Sequence, residues 1–119
     1  MADVILFVKD FELAAKLSSV CVDYNHQIEF SDENTDPSDF SQNVRLAIVD
    51  MDEQVFSSVG LIAALKRKGI KIVGTMTKIN NKDRSKLLAA GCDIILTKAS
   101  LIKNVPKLIS EFFENPKST

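Results

Sequence analysis

Asp50 stands where an apolar run stops. Leu46-Ala47-Ile48-Val49 ends at that acid, and a second acid, Asp52, follows two residues later. A short continuous apolar run reads as a strand buried on both faces of a parallel sheet. Ligands of open parallel sheets bind beyond the carboxyl ends of the strands. Two other runs end in charge: Asp3 to Val8 gives way to Lys9-Asp10, and Asp93 to Leu96 gives way to Thr97-Lys98. Carboxylates gathered at one sheet edge, here Asp10 and Asp50, could share a hard cation such as Mg²⁺, which takes a few carboxylates plus water. Lys98 could pair with an anion held beside them. Each residue also has a plainer reading: Asp10 as a helix cap, Asp52 as a solvated loop acid, Lys98 as a surface lysine.

The elements that must position these residues alternate. After the first strand, Leu13, Leu17, Val20 and Cys21 recur at helical spacing, with Asp10 placed to cap. Gln27 to Phe30 is a weak strand. Ser31 to Asn43 is polar and acidic and reads as loop, with one or two helical turns around Pro37 to Gln42. Leu46 to Val49 is the third strand. The helix after it carries an inward stripe of Val55, Val59, Ile62 and Ala63, widened by Leu61 and Leu65. Lys66-Arg67-Lys68 suits its negative end, and Gly69 the left-handed position beyond. Ile70 to Thr75 is the fourth strand. Asn80 or Asn81 caps a helix through Ala90, with Leu87, Leu88 and Ala89 inward and Gly91 as its stop. The fifth strand is Asp93 to Leu96. The last helix spans about Ile102 to Phe113, with Val105, Leu108, Ile109, Phe112 and Phe113 buried and Pro106 confined to its first turn. The pattern is a strand and a helix repeated five times. It implies a doubly wound α/β sandwich with a five-stranded parallel sheet and right-handed crossovers.

Composition bounds the function. The chain has 119 residues, 45% apolar and 26% charged, enough for one domain with one core. A formal net charge of -1 makes no electrostatic case for nucleic acid or an anionic membrane as partner. No apolar run approaches the roughly 20 residues of a membrane span, and the N-terminus has no secretory pattern, so a cytoplasmic protein is expected. Cys21 and Cys92 lack metal-ligand spacing and read as two reduced, buried thiols. His26, a lone histidine in a loop, reads as structural.

Three segments together carry a resemblance across essentially the whole chain. Ile5-Leu6-Phe7-Val8-Lys9-Asp10-Phe11-Glu12-Leu13, Leu46-Ala47-Ile48-Val49-Asp50-Met51-Asp52 and Ala89-Ala90-Gly91-Cys92-Asp93-Ile94-Ile95-Leu96-Thr97-Lys98 resemble the receiver domain of two-component response regulators. The resemblance implies a single domain over residues 1–119 of flavodoxin-like fold, a three-layer sandwich with strand order 2-1-3-4-5. It implies that Asp50 accepts a phosphoryl group, that Asp10, Asp50 and the backbone carbonyl of Asp52 ligate Mg²⁺, and that Lys98 contacts the phosphoryl oxygens. Counting back from Gly91 and Lys98, the family's switch hydroxyl falls on Met76, and Thr75 and Thr77 flank it as candidate hydroxyls. Lys9 stands where the family has a second acid, Ile95 where it has an aromatic, and Ala99 where it has a proline.

Two functions follow from the resemblance. One is a stand-alone receiver, phosphorylated by a histidine kinase or a phosphotransfer protein. It would catalyse at most its own phosphorylation and dephosphorylation. Its downstream protein target would dock on the face made by the fourth helix, fifth strand and fifth helix. The other is a phosphorylation-independent pseudo-receiver that acts as a protein-interaction module, in which the Lys9 ammonium would come within ion-pair reach of Asp50 or Asp10.

Overall fold

The elements run β1 (Val4–Phe7), α1 (Phe11–Asp23), β2 (Ile28–Phe30), β3 (Leu46–Asp50), α2 (Val59–Arg67), β4 (Lys71–Met76), α3 (Asn81–Ala90), β5 (Ile94–Thr97) and α4 (Lys98–Phe113). They come from a computed structural model that describes residues 3–32, 34, 43–56 and 58–113; Phe112 and Phe113 are described by backbone alone, so their expected burial lies outside the description. All strand pairs are parallel, in the order β2-β1-β3-β4-β5. The sheet is the parallel, doubly wound one expected from the alternation of strands and helices, in the strand order that the resemblance implies. The helical turns expected around Pro37 to Gln42 lie outside the described residues.

Alternation along the strands divides the core in two. Ile5, Phe7, Ala47, Val49, Ile72 and Ile95 pack toward α2 and α3 with Ile62, Leu65 and Leu87. Val4, Leu6, Leu46, Ile48 and Val73 pack toward α1 and α4 with Leu13, Leu17, Leu101, Val105 and Ile109. Side chains two residues apart on a strand share a face, so the even-numbered positions of β3 look toward α1 and α4. Both central strands are buried throughout apart from Lys71. That is why they read as unbroken apolar runs rather than alternating ones.

Several local expectations are corrected. α2 starts at Val59, not near Val55, because Ser58 caps it by accepting from Leu61 N. Val55 and Val59 are exposed, and the connection is anchored instead by Phe56, fully buried edge-on against Phe7. On α3 only Leu87 is buried; Leu88 is half-buried and Ala89 exposed. α4 begins four residues before Ile102, at Lys98, with the Thr97 hydroxyl accepting from Ser100 N. Pro106 therefore lies inside the helix, where it removes one backbone hydrogen bond. The apolar stripe Leu101, Val105, Leu108 and Ile109 outweighs that loss by burial against the sheet. Other features stand as expected. Asp10 caps α1 and Gly91 ends α3 with a φ of 125°. Cys21 and Cys92 are free, buried thiols.

Candidate functional site

The carboxyl ends of β3, β4 and β5 bring four polar side chains together. Asp50, the last residue of β3, is buried, its side chain only 1% exposed. Its Oδ1 accepts the amide hydrogen of Asp52 at 3.0 Å. Its Oδ2 accepts no hydrogen bond, and the Lys98 ammonium lies 3.3 Å from it as an ion pair. The same ammonium lies 3.0 Å from Asp52 Oδ2. Thr77 donates to that Asp52 oxygen twice, from its amide at 2.9 Å and its hydroxyl at 2.6 Å. One cation thus serves two carboxylates and leaves the cluster one negative charge in excess.

Burial opposes ionisation of both Asp52 and Lys98, and the contacts overcome it. The Thr77 bonds and the Lys98 ammonium hold the Asp52 carboxyl below its ordinary range. Asp52 and Asp50 together raise Lys98 above its own. Lys98 opens α4, at the end where the helix dipole disfavours a cation. The two carboxylates offset that penalty.

The register places one of the candidate hydroxyls on the face of Asp50. Asp50 pairs with Thr75 across β3 and β4, and Thr75 lies two residues after Val73, on the face turned toward α1 and α4. Met76 points to the other face and packs in the α2 and α3 core, as does Ile95. Thr75 is fully buried, and its Oγ1 has no hydrogen-bond partner. Thr77 is engaged with Asp52 instead. Sequence counting centred on Met76; the strand parity that selects Thr75 depends on pairing, which only the folded sheet supplies.

The remaining candidates are placed as follows. Asp10 Oδ1 accepts from Glu12 N at 3.0 Å and Leu13 N at 3.3 Å, capping α1. Asp10 also lines, with Lys98, Leu13, Lys16 and Ile102, a cleft of about 130 Å³ between α1 and α4. The Lys9 ammonium stands 6.0 Å from the centre of the Phe56 ring. The ammonium recorded against Asp50 is that of Lys98. Ala99 is exposed in the first turn of α4. His26 Nδ1 contacts Asp3 Oδ2 at 2.7 Å, at the opposite end of the sheet. Among the described residues no three His, Cys, Asp or Glu side chains cluster to hold a metal ion. Asp50 Oδ2, buried and without a hydrogen bond, is an oxygen of the kind a hard cation takes. Sequence reasoning missed the Asp52 side chain, which it valued only for its backbone.

No protein-family model matches the sequence, and no curated protein matches it. Solved structures do match. A CheY-like response regulator receiver domain protein from Methanospirillum hungatei aligns with a TM-score of 0.71 at 16% identity, over 96% of this chain and 98% of that one. The fold is that of the response regulator receiver domains. The Mn²⁺-bound form of the response regulator Rcp1 aligns with a TM-score of 0.69 at 20% identity, over 94% of this chain and 95% of that one. A Burkholderia pseudomallei response regulator with a phosphorylated aspartic acid and a calcium ion aligns with a TM-score of 0.72 at 12% identity, over 99% and 70%. No described helix of this chain is long and apolar enough to cross a membrane.

Proposed function

We propose that this chain is a receiver of two-component phosphorelay signalling that accepts a phosphoryl group on Asp50. The observation that carries the reading is a pair of buried oxygens without hydrogen bonds. Asp50 Oδ2 and Thr75 Oγ1 sit on register-paired residues of adjacent strands, on the same face of the sheet, with Lys98 at the mouth. A buried polar group left unpaired costs about 1–3 kcal/mol. Thr75 Oγ1 bears that cost and Asp50 Oδ2 is met by an ammonium without a hydrogen bond, which supports a ligand atom at this strand end.

The chemistry follows from the arrangement. The Asp52 amide holds Oδ1 and leaves Oδ2 as the nucleophile. Oδ2 attacks phosphorus, a P–O bond forms, and the P–N bond of a phosphohistidine donor breaks. The leaving imidazole keeps the electron pair and takes a proton. The phosphoryl oxygens receive the Thr75 hydroxyl hydrogen and the Lys98 ammonium. Phosphoryl transfer asks mainly for positioning and charge neutralisation of this kind. A divalent cation, Mg²⁺ by its preference for oxygen, would be held by Asp50, Asp10 and the carbonyl of Asp52, and supplies further neutralisation when bound. The Mn²⁺ and calcium of the two structural neighbours support a cation of this type. Donors are a histidine kinase or a phosphotransfer protein. The downstream protein docks on the face of α3, β5 and α4.

The test is incubation with Mg²⁺ and acetyl phosphate, followed by intact mass and peptide mapping. One phosphoryl group is expected on Asp50 and none on the Asp50→Asn protein. An unmodified Asp50 at saturating donor refutes the acceptor. The pseudo-receiver reading draws on the Lys98 ammonium already standing against Asp50. It requires that Mg²⁺ fail to bind, so a calorimetric Mg²⁺ affinity abolished by Asp50→Asn decides against it.

A further inference from the structure

Asp52 Oδ2 is a three-way junction. It accepts from the amide and the hydroxyl of Thr77, at 2.9 and 2.6 Å, and pairs with Lys98 at 3.0 Å. Through one oxygen the end of β3 is fastened to the β4–α3 connection and to the start of α4. None of these contacts is needed to make Asp50 a nucleophile. The ammonium lies closer to Asp52 than to Asp50, whose Oδ2 stays without a hydrogen bond.

We propose that the Asp52 carboxylate is a positioning residue that parks Lys98 beside the acceptor, and that drawing Lys98 onto an anion at Asp50 releases the β4–α3 connection. The second half rests on the acceptor reading above; the first stands on the free protein. A phosphoryl group carries about -1.5 to -2 charge at neutral pH, against -1 for the carboxylate it replaces. Lys98 lies between the two carboxylates, and it follows the larger charge. Asp52 then faces an anion without its counter-ion and is repelled, and Thr77 moves with it because both Thr77 donors are bound to the same oxygen. Residues 77–80 are the connection that moves. The device needs no aromatic at position 95, where this chain has Ile95 packed in the opposite core.

The experiment is NMR on the full chain, using amide shifts and the exchange of the Lys98 ammonium hydrogens. It compares wild type, Asp52→Asn and Thr77→Val, each free and with Mg²⁺ and beryllofluoride. In the free protein, Asp52→Asn is expected to move the Thr77 amide resonance and to speed Lys98 ammonium exchange about threefold, the scale of losing one partly exposed ion pair. Thr77→Val, which keeps the carboxylate but unfastens it, is expected to speed that exchange as well. Unchanged Thr77 and Lys98 signals in both variants overturn the parking role. With beryllofluoride, the Thr77 to Ile79 amides are expected to shift in wild type and to stay in place in Asp52→Asn, while the Asp50 amide responds in both. An equal loop response in the two proteins overturns the relay. A wild type with no response at Asp50 overturns the acceptor reading and the relay with it, and leaves the parking role to be decided by the free proteins.

Discussion

Replacing Lys98 by Met removes the ammonium and keeps most of its apolar stem. At 3.3 Å and an effective dielectric of 20, the Lys98–Asp50 attraction is about 5 kcal/mol before desolvation. The ammonium recovers part of its own hydration cost when it is lost, but Asp50 is left buried and without its recorded counter-charge. Breaking such a pair on one side costs several kcal/mol. The contact to Asp52 adds little, because that carboxylate is a third exposed. We expect Lys98→Met to lose about 3 kcal/mol at pH 7, read as a fall of about 2 M in the urea midpoint for a slope near 1.5 kcal/mol/M. The same substitution in an Asp50→Asn background should cost under about 1 kcal/mol, since only the exposed pair with Asp52 remains. The coupling between the two sites is then about 2 kcal/mol. Equal losses in the two backgrounds would refute the reasoning, for they would mean that Asp50 does not feel Lys98.

Pro106→Ala restores the backbone donor missing inside α4 and should raise stability by about 1 kcal/mol, a melting temperature about 4 °C higher by calorimetry. Gly91→Ala should cost about 1–2 kcal/mol by chemical denaturation. It forces a side chain into φ 125° and sets its Cβ 3.0 Å from Lys66 Cγ. Burial, aided by the nearby Asp3 charge, pushes the Cys21 thiol up from 9.0 to about 11. Above pH 9 the unfolded thiol loses its proton while the folded one keeps it, so stability falls between pH 9 and 11, by about 3 kcal/mol at most. The Asp52–Lys98 pair fails at opposite extremes. Asp52, with its depressed value, loses its contribution as the solution turns acid, and Lys98, with its raised value, loses its own in strong base. The alkaline loss due to the thiol is therefore the part that Cys21→Val removes in pH-dependent melts.

The fold was legible because local pattern and tertiary placement agree. Buried parallel strands must be apolar on both faces, so Leu46 to Val49 could not hide among the amphipathic helices. Caps such as Asp10 and the Gly91 stop are decided by a few neighbouring residues. Legibility failed where a residue's environment comes from elsewhere in the chain. α4 starts early because Thr97 caps it and Leu101 finds the sheet. Pro106 is carried inside it by packing that propensity cannot report.

The site divides in the same way. Asp50 at a strand end, Asp10 after the first strand and Lys98 after the fifth were visible in the sequence as charges closing apolar runs. That Thr75, not Met76, shares the face of Asp50 required the β3–β4 register, since a shift of one residue sends every side chain to the other side of the sheet. That Asp52 fastens Thr77 and shares Lys98 required the ends of three strands to place the Thr77 donors and the Lys98 ammonium within 3.0 Å of one Asp52 oxygen. Those residues are 21 or more positions apart in the chain, and no periodicity records a contact of that range. Sequence alone set which groups are available; tertiary structure decided which of them meet, because hydrogen bonds and ion pairs depend on ångströms of separation that only the folded sheet defines.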